Sequence, residues 1–248
     1  MEGLRGAATP GSSRLLRRAP LLAAALVALL AGLWAGLLRL GLDLPPLRPQ
    51  LAGLHGPLLV LGFLGTQIGL ERAVALQRKV PWPYLAPTFA AAGALWLLAG
   101  LPTSVGQLLL ALGGAVLCVV FLAVHRIDPT WHNTVMGLGA VAWTAGAIVW
   151  LVDGEVARAM PFLAAFLVLT IVGERLELSR MRRPAPLARA VLLAAIALFA
   201  CGVATTLPDA GLGIRLAGAG LLAQAAWLAH YDVARRTIRM GGVTRYMA

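Results

Sequence analysis

Apolar residues in this chain come in blocks of about twenty, and short segments rich in proline and charge separate them. The blocks predict helices near 20–41, 52–76, 84–101, 104–126, 132–152, 159–178, 186–206 and 212–232. At 1.5 Å per residue, about 20 helical residues cross about 30 Å of hydrocarbon, so each block is a candidate membrane span. Pro45-Pro46, Pro81, Pro83, Pro102, Pro129, Asp153-Gly154, Pro184, Pro186 and Pro208-Asp209 punctuate them. No segment shows the ten-residue alternation of a membrane barrel. The pattern predicts an all-α polytopic membrane bundle of about eight transmembrane helices.

Composition agrees with this pattern. Hydrophobic residues make up 60% of the chain and charged residues 12%, against roughly 45–50% and about 25% in soluble domains. The formal net charge of +11 does not point to nucleic acid, because the basic residues lie between the apolar blocks. With the N-terminus in the cytoplasm, 17 of the 21 Lys and Arg fall inside, and Arg39, Arg48, Arg158 and Arg215 fall outside. That bias is the positive-inside signature and predicts an inner-membrane protein with a cytoplasmic N-terminus. Arg14, Arg17 and Arg18 precede an apolar stretch that runs to about Leu38, too long for a signal-peptide core, so it reads as a retained first span. Cys118 and Cys201 sit mid-block without a CxxC pairing and read as packing residues.

A charged pair recurs at the end of two of these blocks. Phe63-Leu64, Ile68 and Glu71-Arg72 return as Phe166-Leu167, Ile171 and Glu174-Arg175, 103 residues on (63 to 166, 71 to 174). Leu122-Ala123-Val124-His125 resembles Trp227-Leu228-Ala229-His230, 105 residues on (125 to 230). A shift of this size lays the first four helices on the last four. The expected organisation is a basic cytoplasmic segment (1–19), two parallel four-helix repeats (20–128 and 129–232) and a basic tail (233–248) that starts a truncated ninth helix. Four helices per repeat is an even number, so the halves share one orientation about an axis along the membrane normal.

Ionisable residues inside spans are the candidates for chemistry, because hydrocarbon makes them costly. His55 opens the second span, and Gly62, Thr66 and Gly69 fall within about 40° of it on a helical wheel. That small-residue face admits a neighbouring helix or a flat cofactor, so His55 reads either as an axial haem or copper ligand or as an interfacial hydrogen-bonding residue. Glu71 lies about 160° around from His55. Gln67 with Glu71, and Thr170 with Glu174, read as a proton or small-solute site, or as carboxylates neutralised by Arg72, Arg126 and Arg175. His125, His132 and His230, with Glu71, Glu174 and Glu177, lie near the inner face. They form a second candidate cluster for a cofactor or metal, against the plainer reading of capping residues. Gly32 and Gly36 form a GxxxG that reads as packing. Walker, GxSxG, CxxCH and strand–helix GxGxxG motifs are absent, which argues against a nucleotide-driven pump, a serine hydrolase and a c-type cytochrome.

The block HGPLLVLGFLGTQIGLERAVAL, His55 to Leu76, resembles the histidine–glycine helices of the NnrS family. That resemblance implies a membrane protein bearing haem b or copper, linked to nitric-oxide stress, with His55 as the ligand. The chain has fewer spans than that family and lacks the histidine cluster of an oxygen-reducing haem–copper centre. The leading expectation is an inner-membrane protein that binds haem or copper through His55, with His125, His132 and His230 as further cofactor-binding candidates, and acts in redox or stress response. The alternatives are a secondary transporter that uses Glu71 and Glu174, and a non-catalytic scaffold. The expected partner is the lipid bilayer, not nucleic acid. A homo-oligomer or a membrane redox partner stays open, as does enzymatic activity.

Overall fold

The structure is a computed structural model that describes residues 10–45, 48–76, 81–178 and 185–231, with side chains of the first helix from Arg18 onward. Three earlier expectations fall outside those residues: most of the basic segment 1–19, the loop cations Arg78, Lys79, Arg180, Arg182 and Arg183, and the tail 233–248 with its ninth helix.

Every regular element among the described residues is helical. Helix α1 (Pro10–Arg39) is followed by a 3₁₀ turn (Leu51–Leu54), α2 (His55–Pro57), a π-helical segment (Leu58–Leu64) and α3 (Gly65–Leu76). These last four run without a break and make the second span, Leu51–Leu76. After a short 3₁₀ turn (Trp82–Tyr84) come α4 (Leu85–Ala99), α5 (Thr103–Ile127), α6 (Trp131–Asp153), α7 (Val156–Leu178), α8 (Pro186–Thr205) and α9 (Ala210–Tyr231).

Among the described residues, seven helices are long and apolar enough to cross a membrane. The expected span 84–101 is the exception. Its helix α4 has 15 residues, about 22 Å of rise, which is short of the hydrocarbon thickness. It stops at Gly100, whose φ of 80° is the left-handed conformation that a helix C-terminus favours. Gly154 ends α6 in the same way. Large apolar side chains such as Leu26, Leu30, Val141, Ile171 and Leu222 are exposed, an arrangement suited to lipid tails and not to water. The molecule is an all-α membrane bundle.

The chain divides into two compact units, Met1–Gly113 and Gly114–Ala248, so the division falls inside α5. In the first unit Ala28 and Ala35 of α1, Leu51 and Leu58 of the second span and Ala94 of α4 form the core, with Trp34, Phe63 and Leu98 packed against it. Small side chains let these helices approach closely, which takes the place of a hydrophobic drive that lipid cannot supply. A Cβ on Gly62 would stand 2.8 Å from that of Ala94 and 3.1 Å from that of Ala28. The N-terminal half of α5 packs on α4 through Gly106, where a Cβ would meet the Leu97 side chain at 2.7 Å.

In the second unit Phe162, Leu169, Leu192, Phe199 and Trp227 belong to one core. The α6 and α7 helices pack through Gly139, Gly146 and Gly173, with Trp143 tilted against Phe166 at 5.0 Å between ring centres. The α8 and α9 helices meet backbone to backbone. Gly202 faces Ala217, Gly213 faces Thr206 and Gly220 faces Phe199, each too close for a Cβ. Trp227, near the end of α9, ties it to the start of α8 by donating its Nε1–H to the Ala188 carbonyl at 2.7 Å.

Candidate functional site

His55 is the residue whose surroundings are most specific. It stands in the first turn of α2, half-buried. Its Nδ1 lies 2.8 Å from the carbonyl oxygen of Gly32 on α1. A carbonyl can only accept, so Nδ1 carries the proton, and in the neutral ring Nε2 keeps its lone pair. No described residue hydrogen-bonds Nε2.

The GxxxG of α1 makes this contact. A Cβ on Gly36 would stand 2.8 Å from both Cε1 and Nδ1 of His55, and one on Gly32 would stand 2.7 Å from the Leu59 side chain. The motif packs helices, as expected, and in doing so seats the imidazole on bare backbone. The π-helical segment begins three residues later. Such segments are rare and recur at functional sites, and the sequence offered no sign of this one beyond Pro57 and Gly62.

The small-residue face of the second span is occupied by helices. Gly62 lies against Ala28 and Ala94, and Gly69 lies against Pro87, where a Cβ would come within 3.2 Å of the proline nitrogen. Thr66 is fully buried and donates its hydroxyl to the Gly62 carbonyl at 2.6 Å. A flat cofactor therefore does not lie along that face.

The carboxylates sit elsewhere. Glu71 is 63% exposed and lies 3.4 Å from the guanidinium of Arg72, whose side chain is only 12% exposed. Gln67 is half-buried, and so is Glu174. Thr170 is buried and gives its hydroxyl to the Phe166 carbonyl at 2.8 Å, so that donor is used within its own helix. Along the two matched stretches, burial runs in parallel at the 103-residue offset. Gly69, Leu70 and Ala73 are buried, as are Val172, Gly173 and Leu176, whereas the carboxylates differ, Glu71 being exposed and Glu174 half-buried.

The remaining histidines belong to helix ends in the second unit. His125 Nδ1 is 3.3 Å from the Thr134 hydroxyl, so it ties the end of α5 to the first turn of α6. His132 is 5% exposed, with Nε2 3.0 Å from the Thr130 hydroxyl, and Asn133 donates to that same hydroxyl at 2.8 Å. These two histidines thus share one loop. His230 is exposed at the end of α9, edge-on to Tyr231. Among the described residues no group of three His, Cys, Asp or Glu side chains could hold a metal ion.

Residues 18–248 match a family model described as a domain of unknown function, DUF8744. The chain belongs to this family. No curated protein and no solved structure matches it. The description of DUF8744 names no activity, so the chemistry rests on the residues. Two polar features of this DUF8744 chain were not anticipated. Arg48, counted only as an outer-side cation, donates Nη1 to the carbonyls of Leu97 (2.7 Å) and Leu98 (2.9 Å). Gln224, 1% exposed in α9, donates to the Gly220 carbonyl at 3.2 Å, while its Oε1 has no partner. A lone glutamine in an apolar block was a signal available for the second feature. For Arg48 the sequence held none.

Proposed function

We propose that this protein is an inner-membrane protein, with its N-terminus in the cytoplasm, that holds a haem through Nε2 of His55. The observation that supports this reading is the pairing of Nδ1–H with the Gly32 carbonyl. A backbone acceptor on one imidazole nitrogen sets the tautomer and ring orientation of metal-binding histidines and raises the basicity of the other nitrogen. A single axial histidine is enough for a five-coordinate haem, whereas copper needs several donors together. The donor set around His55 therefore favours haem. Bound there, haem supplies electron-transfer or diatomic-ligand chemistry, in keeping with a redox or stress-response role and with the NnrS-like resemblance of His55 to Leu76. The protein's own contribution is to fix the imidazole on Gly32 and Gly36 and to surround it with the apolar second span.

An absorption spectrum of the detergent-purified protein, oxidised and dithionite-reduced, tests this directly. The expected result is a Soret band that shifts on reduction, is lost in His55→Ala and is kept in His230→Ala. A colourless, iron-free preparation after growth with excess haem precursor overturns it.

A second reading, a secondary carrier, draws support from Glu71 and Glu174, each followed by an arginine, recurring 103 residues apart in two otherwise apolar spans. It predicts proton flux into proteoliposomes that Glu71→Gln and Glu174→Gln each reduce at least tenfold. Flux unaffected by both substitutions removes it.

A further inference from the structure

Each compact unit uses one outer-side arginine to close the C-terminal end of a helix. In the first unit Arg48 donates to the Leu97 and Leu98 carbonyls at the end of α4. Its guanidinium fills the space beside Gly100, where a Cβ would stand 2.6 Å from Cζ. Those carbonyls belong to the last turn of a helix and have few partners within it, and the negative end of the helix dipole favours a cation there. In the second unit Arg158 lies 3.0 Å from Asp153 and donates to the Leu207 carbonyl, just past the end of α8, at 3.4 Å.

The two arginines differ in how far they stand from the matched stretch of the following span. Arg158 precedes Phe166 by eight residues and Arg48 precedes Phe63 by fifteen. The first unit thus carries seven additional residues after its arginine. His55 stands 103 residues before Arg158, so it occupies the position that Arg158 holds in the other unit. The additional residues are tightly wound. Leu51 N–H donates to the Arg48 carbonyl at 3.2 Å, Gly53 N–H donates to the Gln50 carbonyl at 3.1 Å, and the 3₁₀ turn Leu51–Leu54 leads straight into His55.

We infer that Arg48 is a positioning residue for His55: by anchoring the start of this wound segment to the end of α4, it holds the imidazole in register with Gly32 and Gly36. The longer loop moves the anchoring arginine back by seven residues and leaves position 55 open to a histidine. The function of that histidine rests on the haem reading above. The positioning does not.

Nitrogen-15 NMR of histidine-labelled protein, purified in detergent without haem so that Nε2 is free to carry a proton, tests the positioning, with the His55 signals assigned by their loss in His55→Gln. The wild type is expected to show the Nδ1–H tautomer at His55. Arg48→Gln is expected to shift His55 toward the Nε2–H tautomer that a free imidazole prefers, Arg48→Lys to give a mixture, and Arg158→Gln to leave His55 unchanged. A folded Arg48→Gln protein that keeps the Nδ1–H tautomer overturns the proposal. If Arg48→Gln does not fold, Arg48→Lys decides, because a spectrum identical to wild type also overturns it. A missing Soret band in the wild type removes the haem reading and leaves the tautomer result standing by itself.

Discussion

The imidazole of His55 lies on the backbone of α1, with Nδ1 2.8 Å from the Gly32 carbonyl and no room for a Cβ at Gly36. A methyl group at position 36 would fall 2.8 Å from two ring atoms. Gly36→Ala is therefore expected to displace the ring, break its hydrogen bond and cost about 1–3 kcal/mol. Thermal melting in detergent reads the stability, and loss of the Soret band reads the ligand. Gly53→Ala, with open space around it, serves as the neutral control. Equal melting of the two variants would remove the packing argument.

The glycines of α8 and α9 have unequal roles. A Cβ on Gly220 would stand 2.7 Å from the Phe199 Cα, and one on Gly213 would stand 2.7 Å from the Thr206 Cα. Backbone cannot yield as a flexible side chain does, so Gly220→Ala and Gly213→Ala are expected to lower the melting temperature and to separate the two helices. Gly218 has nothing within 4 Å. Gly218→Ala is expected to be neutral or to stabilise by about 0.5–1 kcal/mol through helix propensity.

Gln224 is buried and keeps an unpaired acceptor. An unsatisfied buried polar atom costs about 1–3 kcal/mol. Gln224→Leu is expected to raise the melting temperature, whereas Trp227→Phe, which loses the bond to Ala188, is expected to lower it by the equivalent of about 1 kcal/mol. A destabilised Gln224→Leu would mean that the amide oxygen has a partner in the membrane.

Sidedness decides whether the short helix α4 crosses. With an inner N-terminus and α4 crossing, Asp128 faces the cytoplasm and Glu155 the outside. After replacement of Cys118 and Cys201, an impermeant thiol reagent on intact cells is expected to label Glu155→Cys and to spare Asp128→Cys. The inverse result would mean that α4 does not cross, or that the N-terminus lies outside.

Much of this fold was legible in the chain because membrane spans announce themselves by length. The boundaries expected for 132–152 and 186–206 fall within one residue of α6 (Trp131–Asp153) and α8 (Pro186–Thr205), since glycine, proline and aspartate mark their ends. The third span is the departure. Its apolar block continues past Ala99, but the left-handed turn at Gly100 stops the helix at 15 residues. Hydropathy does not register a turn of that kind.

The candidate site was legible only as a set of residue types. His55 beside a run of glycines suggested a ligand or a helix contact, and the sequence had no means of choosing which glycines face it. Helical periodicity pointed to Gly62 and Gly69 on its own span. The structure seats the ring on Gly32 and Gly36 of α1, a contact between two helices that the periodicity of one helix cannot specify.

The sequence by itself determined that this is a helical membrane chain, where seven of its eight expected spans lie, and that few ionisable groups stand inside them, because the cost of polar groups in hydrocarbon is written residue by residue. Only the tertiary structure decided which backbone carbonyl receives His55, that Arg48 closes α4, and that Gln224 is buried with an unpaired oxygen. These depend on how neighbouring helices are placed and turned. In a membrane that is set by close contact at small residues and by individual hydrogen bonds, not by hydrophobic pattern, since every lipid-facing and helix-facing position can be equally apolar.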